Sequence, residues 1–158
     1  PQINKASLDL LIHKEGRMPS IYRDQLGAET IGVGHRCIEP ACLEVSRQFS
    51  IPLSPADMEA LLRQDLHKFE HNVSMNLADV DLNANQYGVV VSVAFNGGEM
   101  APQLLEFYKA IKAAPSGNFA SIFSQDLLGH DLGVADVAMR RKEELVLFKT
   151  PTDERALP

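Results

Sequence analysis

The sequence predicts an α+β fold that is mainly α, with a small N-terminal β-sheet lobe and a helical C-terminal lobe joined by one long helix. Residues 19–35 carry Pro19, Tyr22, Gly27, Thr30, Ile31 and Val33. That mixture of turn formers and β-branched residues favours short strands with tight turns. Past Ser54, the residues Met58, Leu61, Leu62, Leu66, Phe69, Val73 and Leu77 hold helical spacing without a break. Shorter helical runs then alternate with Gly- and Pro-rich breaks. At 158 residues and 45% hydrophobic content the chain has the length of one domain and enough apolar mass for a core.

Taken in order, residues 5–14 read as a short amphipathic helix with Leu8, Leu11 and Ile12 on one face. The sheet lobe covers residues 15–53. Ser54-Pro55-Ala56-Asp57 starts the long helix: Ser as N-cap, Pro at the first helical position, an acid in the first turn. Further helices fit residues 84–95, 102–113, 117–126 and 136–148. They are separated by Gly97-Gly98, by Pro115-Ser116-Gly117 and by the stretch from Gly129 to Gly133. The helical lobe covers residues 54–149, and residues 150–158 read as a frayed tail. The apolar runs Val89-Val90-Val91 and Leu127-Leu128 read as core.

The formal net charge is −6 and no basic patch is present, which disfavours nucleic-acid binding. No apolar run approaches the ~20 residues of a membrane span, and no signal-peptide pattern opens the chain. The expectation is an intracellular protein or a mature chain whose leader has been removed. An acidic surface repels anionic polymers at neutral pH, so acidic working conditions are favoured. His67-Lys68-Phe69-Glu70-His71 has the spacing of a zinc-peptidase motif. The helical wheel turns His67 and His71 away from the apolar face, so a solvated face is expected, with no metal and no cofactor. Asn72-Val73-Ser74 is a glycosylation sequon that matters only in a eukaryotic secretory route.

The chemistry concentrates in residues 15–35. Glu15 ends an apolar helical run, and Asp24 follows nine positions later in a Gly-punctuated turn, before Thr30 and Ile31-Gly32-Val33-Gly34-His35. Two carboxylates in different environments suit glycoside hydrolysis, one protonated to donate to the leaving oxygen and one ionised to direct water. By itself Asp24 reads first as a turn-forming Asp. Thr30 reads as a strand residue. Glu15 ends its helix beside Leu11 and Ile12, where partial burial favours the protonated acid, its other reading being a helix-end carboxylate exposed to water. In this order and spacing, Glu15, Gly16, Asp24, Thr30, Gly32, Gly34 and His35 resemble the signature of the phage-type lysozymes, glycoside hydrolase family 24. Leu82-Asn83-Ala84-Asn85-Gln86-Tyr87 with Ala94-Phe95-Asn96-Gly97-Gly98 resembles the family's second helix block. Arg140-Arg141 with Glu144, Leu147 and Phe148 resembles its C-terminal block. The resemblance spans most of residues 3–149. The insertion from Gly34 to Cys42 and the opening Pro1-Gln2-Ile3-Asn4 are most similar to the secreted fungal branch.

The resemblance implies a lysozyme-like fold with a cleft between the lobes. It also implies a muramidase acting on the β-1,4 bond between N-acetylmuramic acid and N-acetylglucosamine. Glu15 would be the general acid, and Asp24 with Thr30 would hold water for direct attack. Asn96 would bind sugar, its other reading being a helix C-cap before Gly97; Phe95 and Arg140 would join it in binding substrate, and Arg140 would also orient Glu15. His35 and Asp65 would form an ion pair tying the sheet lobe to the long helix. Cys37 and Cys42 would form a disulfide. The implied protein is a secreted monomer whose partner is bacterial peptidoglycan, with neither nucleic acid nor membrane. The chain departs from the pattern in having Trp 0: Gln125-Asp126-Leu127 stand where the family carries a Trp. Asn72 and Glu99 stand where the fungal branch has a second cysteine pair. These departures motivate a second reading, a glycan-binding module with weak or no hydrolysis, and a weaker third, activity on chitin.

Overall fold

The computed structural model describes residues 1–114, 117–128 and 135–156. The breaks read at Pro115-Ser116 and from Gly129 to Gly133 lie outside the described residues. The elements run α1 (Lys5–Glu15), β1 (Met18–Arg23), β2 (Glu29–Gly32), β3 (His35–Arg36), α2 (Leu43–Ser46), α3 (Pro55–Asn76), α4 (Ala84–Gly97), α5 (Pro102–Ala113), α6 (Phe119–Phe123) and α7 (Ala135–Phe148). The protein is mainly helical with one small antiparallel sheet of three strands in the order β1-β2-β3.

The chain packs as two compact units, residues 11–67 and the described residues of 1–10 and 68–158. The start of α3 thus belongs with the sheet rather than with the helices that follow it.

In the sheet-bearing unit, β1 and β2 pair Tyr22 with Thr30 and Arg23 with Glu29, and β2 and β3 pair Thr30 with Arg36 and Ile31 with His35. Ile31 and Val33 are buried with Leu53, Met58, Leu61 and Leu62. Gly32, at φ +70, lies against Leu61 and Leu53, where a side chain would meet both strain and a neighbour. Ser54 caps α3: its hydroxyl accepts from Asp57 N at 3.1 Å and its carbonyl from Met58 N at 2.9 Å. The sequence reading had no element between residues 36 and 53. A 3₁₀ turn (Pro40–Cys42) and α2 occupy that stretch, closed by the Cys37–Cys42 disulfide with Cα atoms 4.8 Å apart. Ala41 and Cys42 sit at φ 57 and 52, left-handed conformations that non-Gly residues resist.

In the helical unit, α4 is buried along most of its length, from Ala84 to Ala94. Asn83 and Gln86 make a reciprocal capping box: Gln86 N donates to Asn83 Oδ1 at 2.8 Å and Asn83 N to Gln86 Oε1 at 3.0 Å. Phe107, Phe123 and Phe148 form an aromatic cluster in which Phe123 lies 6.0 Å from Phe107 and 5.1 Å from Phe148, centroid to centroid. The helix predicted over 117–126 begins later and changes pitch. Phe119–Phe123 is α-helical and Ser124–Leu128 winds as a π turn, with Ser124 Oγ bonded back to Ala120 O at 3.1 Å. That turn stands where the family's Trp would fall, and Leu127 is buried in it. The tail differs from expectation as well. Ala84 N donates to Glu154 O at 2.9 Å and Ala156 N to Leu82 O at 3.3 Å, so the chain after α7 is tied down by backbone bonds.

Candidate active site

Glu15 is the last residue of α1 and is half-buried. Gly16 follows at φ +77 and donates its amide to Ile12 O at 2.8 Å, the left-handed closure that turns the chain into β1. Gly34, at φ +68, approaches the acid from the end of β2: a Cβ there would stand 3.0 Å from Glu15 Oε2. The glycine spacing of the motif therefore has a steric cause.

Asp24 begins the turn between β1 and β2. Its Oδ1 accepts from Leu26 N and Ala28 N, both at 2.9 Å, and its Oδ2 faces Arg36 Nη2 at 3.4 Å. The Ala28 amide chiefly, with the Leu26 amide and Arg36, outweighs partial desolvation and holds the carboxyl below the usual carboxylate range. Asp24 closes the turn through Oδ1, while Oδ2 faces Arg36. Thr30 is only 4% exposed, and its hydroxyl donates to Ala28 O at 3.0 Å. Ala28 thus anchors both side chains, its N–H on Asp24 and its carbonyl on Thr30. The hydroxyl proton is committed, so Thr30 Oγ1 is left to accept.

Tyr22 and Arg36 stand directly across from Thr30 on the neighbouring strands. Burial, then the charges of Glu15 and Asp24, push the Tyr22 phenol up from its ordinary value. Tyr22 therefore lies in the field of both acids. Sequence reasoning used it only as a strand residue, and only the strand register reveals its place.

His35 Nδ1 lies 2.8 Å from Asp65 Oδ2, and Nε2 lies 2.8 Å from Glu44 Oε2. Glu44 was not anticipated. It also accepts from Ile38 N at 2.8 Å and Glu39 N at 3.0 Å, so it holds the disulfide loop onto the imidazole. Burial alone would lower the His35 pKa; the bonds to Asp65 and Glu44 outweigh it and hold the ring above its ordinary value. Burial opposes ionisation of Glu44 too, but the His35 bond and the loop amides bring it down from 4.5 to about 2.

The remaining predicted residues lie in the helical unit. Asn96 is exposed, and its Oδ1 accepts from Arg141 Nη2 at 2.9 Å. It is not the helix cap: α4 runs on to Gly97, and Gly98 closes it by donating to Ala94 O at 2.8 Å. Phe95 is half-buried with its ring edge-on to Phe69 at 5.5 Å. Arg140 is buried and bonds Ser92 Oγ at 3.2 Å and Ser92 O at 3.4 Å. Glu144 is fully buried between Arg140 and Arg141, and burial raises its pKa against the pull of both guanidiniums. His67 and His71 are exposed, whereas Glu70 is buried and accepts from Ile3 N at 2.7 Å, so the residues of the zinc-like motif do different jobs. Asn72, within the sequon, accepts from Tyr108 Oη at 3.0 Å.

Residues 12–144 match the phage lysozyme family, most of the chain. The chain belongs to that family. The endolysin of Salmonella phage P22 is 33% identical over 100 residues, 63% of this chain and 66% of the endolysin. A crystal structure of a P22 lysozyme mutant superposes with a TM-score of 0.72 at 26% identity, covering 95% of this chain and 99% of that one. The muramidase domain of SpmX from Asticaccaulis excentricus shares the fold at 23% identity, with a TM-score of 0.67 over 95% of this chain and 99% of that one. As a phage lysozyme family member, the chain falls among glycoside hydrolases of the muramidase type.

Proposed function

We propose that Glu15 is the general acid, and Asp24 with Thr30 the water-holding pair, of a lysozyme that cleaves the β-1,4 bond between N-acetylmuramic acid and N-acetylglucosamine in peptidoglycan. The observation that carries this reading is the shared anchor at Ala28. Asp24 Oδ2 and Thr30 Oγ1 are both left as acceptors, the pair of partners one water needs if it is to donate twice and present a lone pair to carbon. Glu15 passes its proton to the glycosidic oxygen as that bond breaks. The water oxygen bonds to the anomeric carbon and its proton moves to Asp24, so no covalent glycosyl-enzyme is needed. A carboxylate held below its usual pKa stays ionised in mildly acidic solution, as the water-holding role requires.

In the helical unit, Asn96, Phe95 and Arg140 are the residues proposed to bind the glycan. The Arg141 bond to Asn96 Oδ1 supports this reading, because it leaves the Asn96 amide N–H groups to donate to sugar oxygens. The disulfide supports secretion, since such bonds persist in oxidising compartments, and with it the resemblance to the secreted fungal branch.

Clearing of Gram-positive cells and of purified peptidoglycan tests the whole reading. Glu15→Gln keeps the side-chain shape and removes the donated proton, so it should fold as the parent does and lose nearly all hydrolysis. Retention of activity within about tenfold would overturn the acid assignment, because general acid catalysis contributes on the order of 10²–10⁴. A parent protein that binds peptidoglycan without clearing it would favour the glycan-binding module instead.

A further inference from the structure

We propose that Arg36 is a positioning residue for the reaction: it sets a cation beside the open oxygen of Asp24, the oxygen that accepts from the water. The inference rests on the reading of Asp24 as the water-holding carboxylate, and it begins with the asymmetry of that group. Oδ1 is taken by two backbone amides at 2.9 Å, and Arg36 Nη2 stands on Oδ2 at 3.4 Å. A contact of that length is at the long end of a hydrogen bond. It supplies a cation's field and leaves Oδ2 able to accept a proton from water as well.

The placement follows from the sheet. Residues directly opposite each other on antiparallel strands project from the same face. Tyr22, Thr30 and Arg36 therefore share one row across the three strands, with Asp24 two positions beyond Tyr22. Strand β3 is short, but its backbone is anchored on both sides of Arg36. Cys37 N donates to Glu29 O at 2.9 Å, and the His35 ring is clamped by Asp65 and Glu44. The adjacent cation, Arg23, donates Nη1 to Gly27 O at 2.8 Å. Among the described residues, the side chains that interact electrostatically with Asp24 include Arg36 from β3 and Tyr22 from β1, with Glu15 acting on the same phenol.

The consequence is a trade. A neighbouring cation makes Asp24 a weaker base but keeps it deprotonated further into acid. Arg36 is 63% exposed, so its replacement removes charge without opening the core.

Arg36→Gln and Arg36→Lys test this, with kcat and KM measured across pH on soluble peptidoglycan fragments and the Asp24 carboxyl carbon titrated by NMR. In the Gln variant the acid limb of kcat/KM and the Asp24 midpoint should both move to higher pH. The loss should reach about two- to fivefold at the acid end, shrink towards neutrality and leave KM nearly unchanged. The Lys variant should recover most of it. A loss uniform across pH and carried by KM would overturn the proposal in favour of direct substrate contact. A shifted Asp24 midpoint with an unmoved acid limb would overturn it by showing that the reaction titrates another group, which is a failure of the Asp24 assignment. If neither moves, the Arg36–Asp24 coupling itself is wrong.

Discussion

Replacing Glu44 by Gln keeps the side-chain length and removes the charge that holds His35 and the disulfide loop together. Both ring nitrogens of His35 face carboxylate oxygens at 2.8 Å, and only the imidazolium can donate to both. A fall of the Glu44 pKa from 4.5 to about 2 is worth at most roughly 3 kcal/mol. A carboxylate beside solvent keeps part of that, so about 1–2 kcal/mol is expected for the substitution. At about 2–4 °C per kcal/mol for a chain of this size, the melting temperature should fall by about 2–8 °C near pH 5.5. The pH dependence follows from the two shifts. The His35 pKa is raised above 6.5, so its contribution is complete below that value and disappears as pH rises through the folded-state pKa. The Glu44 pKa is lowered, so its contribution is complete above 4.5 and disappears as pH falls towards about 2. Both act fully only between about pH 4.5 and 6.5. Thermal melts of parent and variant should therefore differ most near pH 5.5, less near pH 9, and little near pH 2, where about half of the Glu44 carboxyl is protonated even in the folded state. A gap as wide at pH 9 as at pH 5.5 would refute the argument. So would an NMR titration placing His35 below its unfolded value.

Asp24→Asn should leave the turn intact, because the amide oxygen still accepts from Leu26 and Ala28, while hydrolysis falls by roughly 10²–10⁴. Thr30→Val should lose less activity and cost about 0.5–1.5 kcal/mol of stability by removing the hydroxyl's bond to Ala28 O, which keeps Asp24 N as its other donor. Rates on purified peptidoglycan beside melting curves check both, and a larger rate loss for Thr30→Val would reverse the assigned roles. Reduction of the Cys37–Cys42 bond should raise the intact mass by two protons and cost about 2 kcal/mol, with hydrolysis at room temperature preserved. An unchanged mass would show the thiols unpaired and remove the main support for secretion.

The elements that were legible in the sequence are those with chemical punctuation at their ends. Ser54-Pro55 opens α3, Gly97-Gly98 ends α4, and α5 spans the predicted residues 102–113. The π turn from Ser124 to Leu128 was not legible, because composition does not distinguish a wide turn from an α-helical one. Nor was α2, four residues held by an acid and a disulfide rather than by a hydrophobic period. Glu44 escaped notice for the same reason: it acts through Ile38 N, Glu39 N and His35, none of which stands at a helical or strand interval from it.

Asp24 shows a deeper limit. Turn-former and catalytic carboxylate looked like competing readings, because residue-level reasoning gives one side chain one job. The carboxylate has two oxygens, and the loop uses them separately. Oδ1 closes the turn by accepting two amides, which fixes the plane and rotation of the group. Oδ2 is thereby aimed, and the register that sets Arg36 opposite Thr30 supplies the charge beside it. In the role proposed for Asp24, the bonds that make it a turn residue are the ones that would preorganise it for chemistry. A substitution can therefore spare the first role and abolish the second, as Asp24→Asn should, whereas Asp24→Ala should disrupt both. Comparing their melting curves would measure how much of the turn's stability the Asp24 side chain supplies. Equal stability of the two variants would show that the turn holds without its amide acceptor, and that the aim of Oδ2 must come from elsewhere.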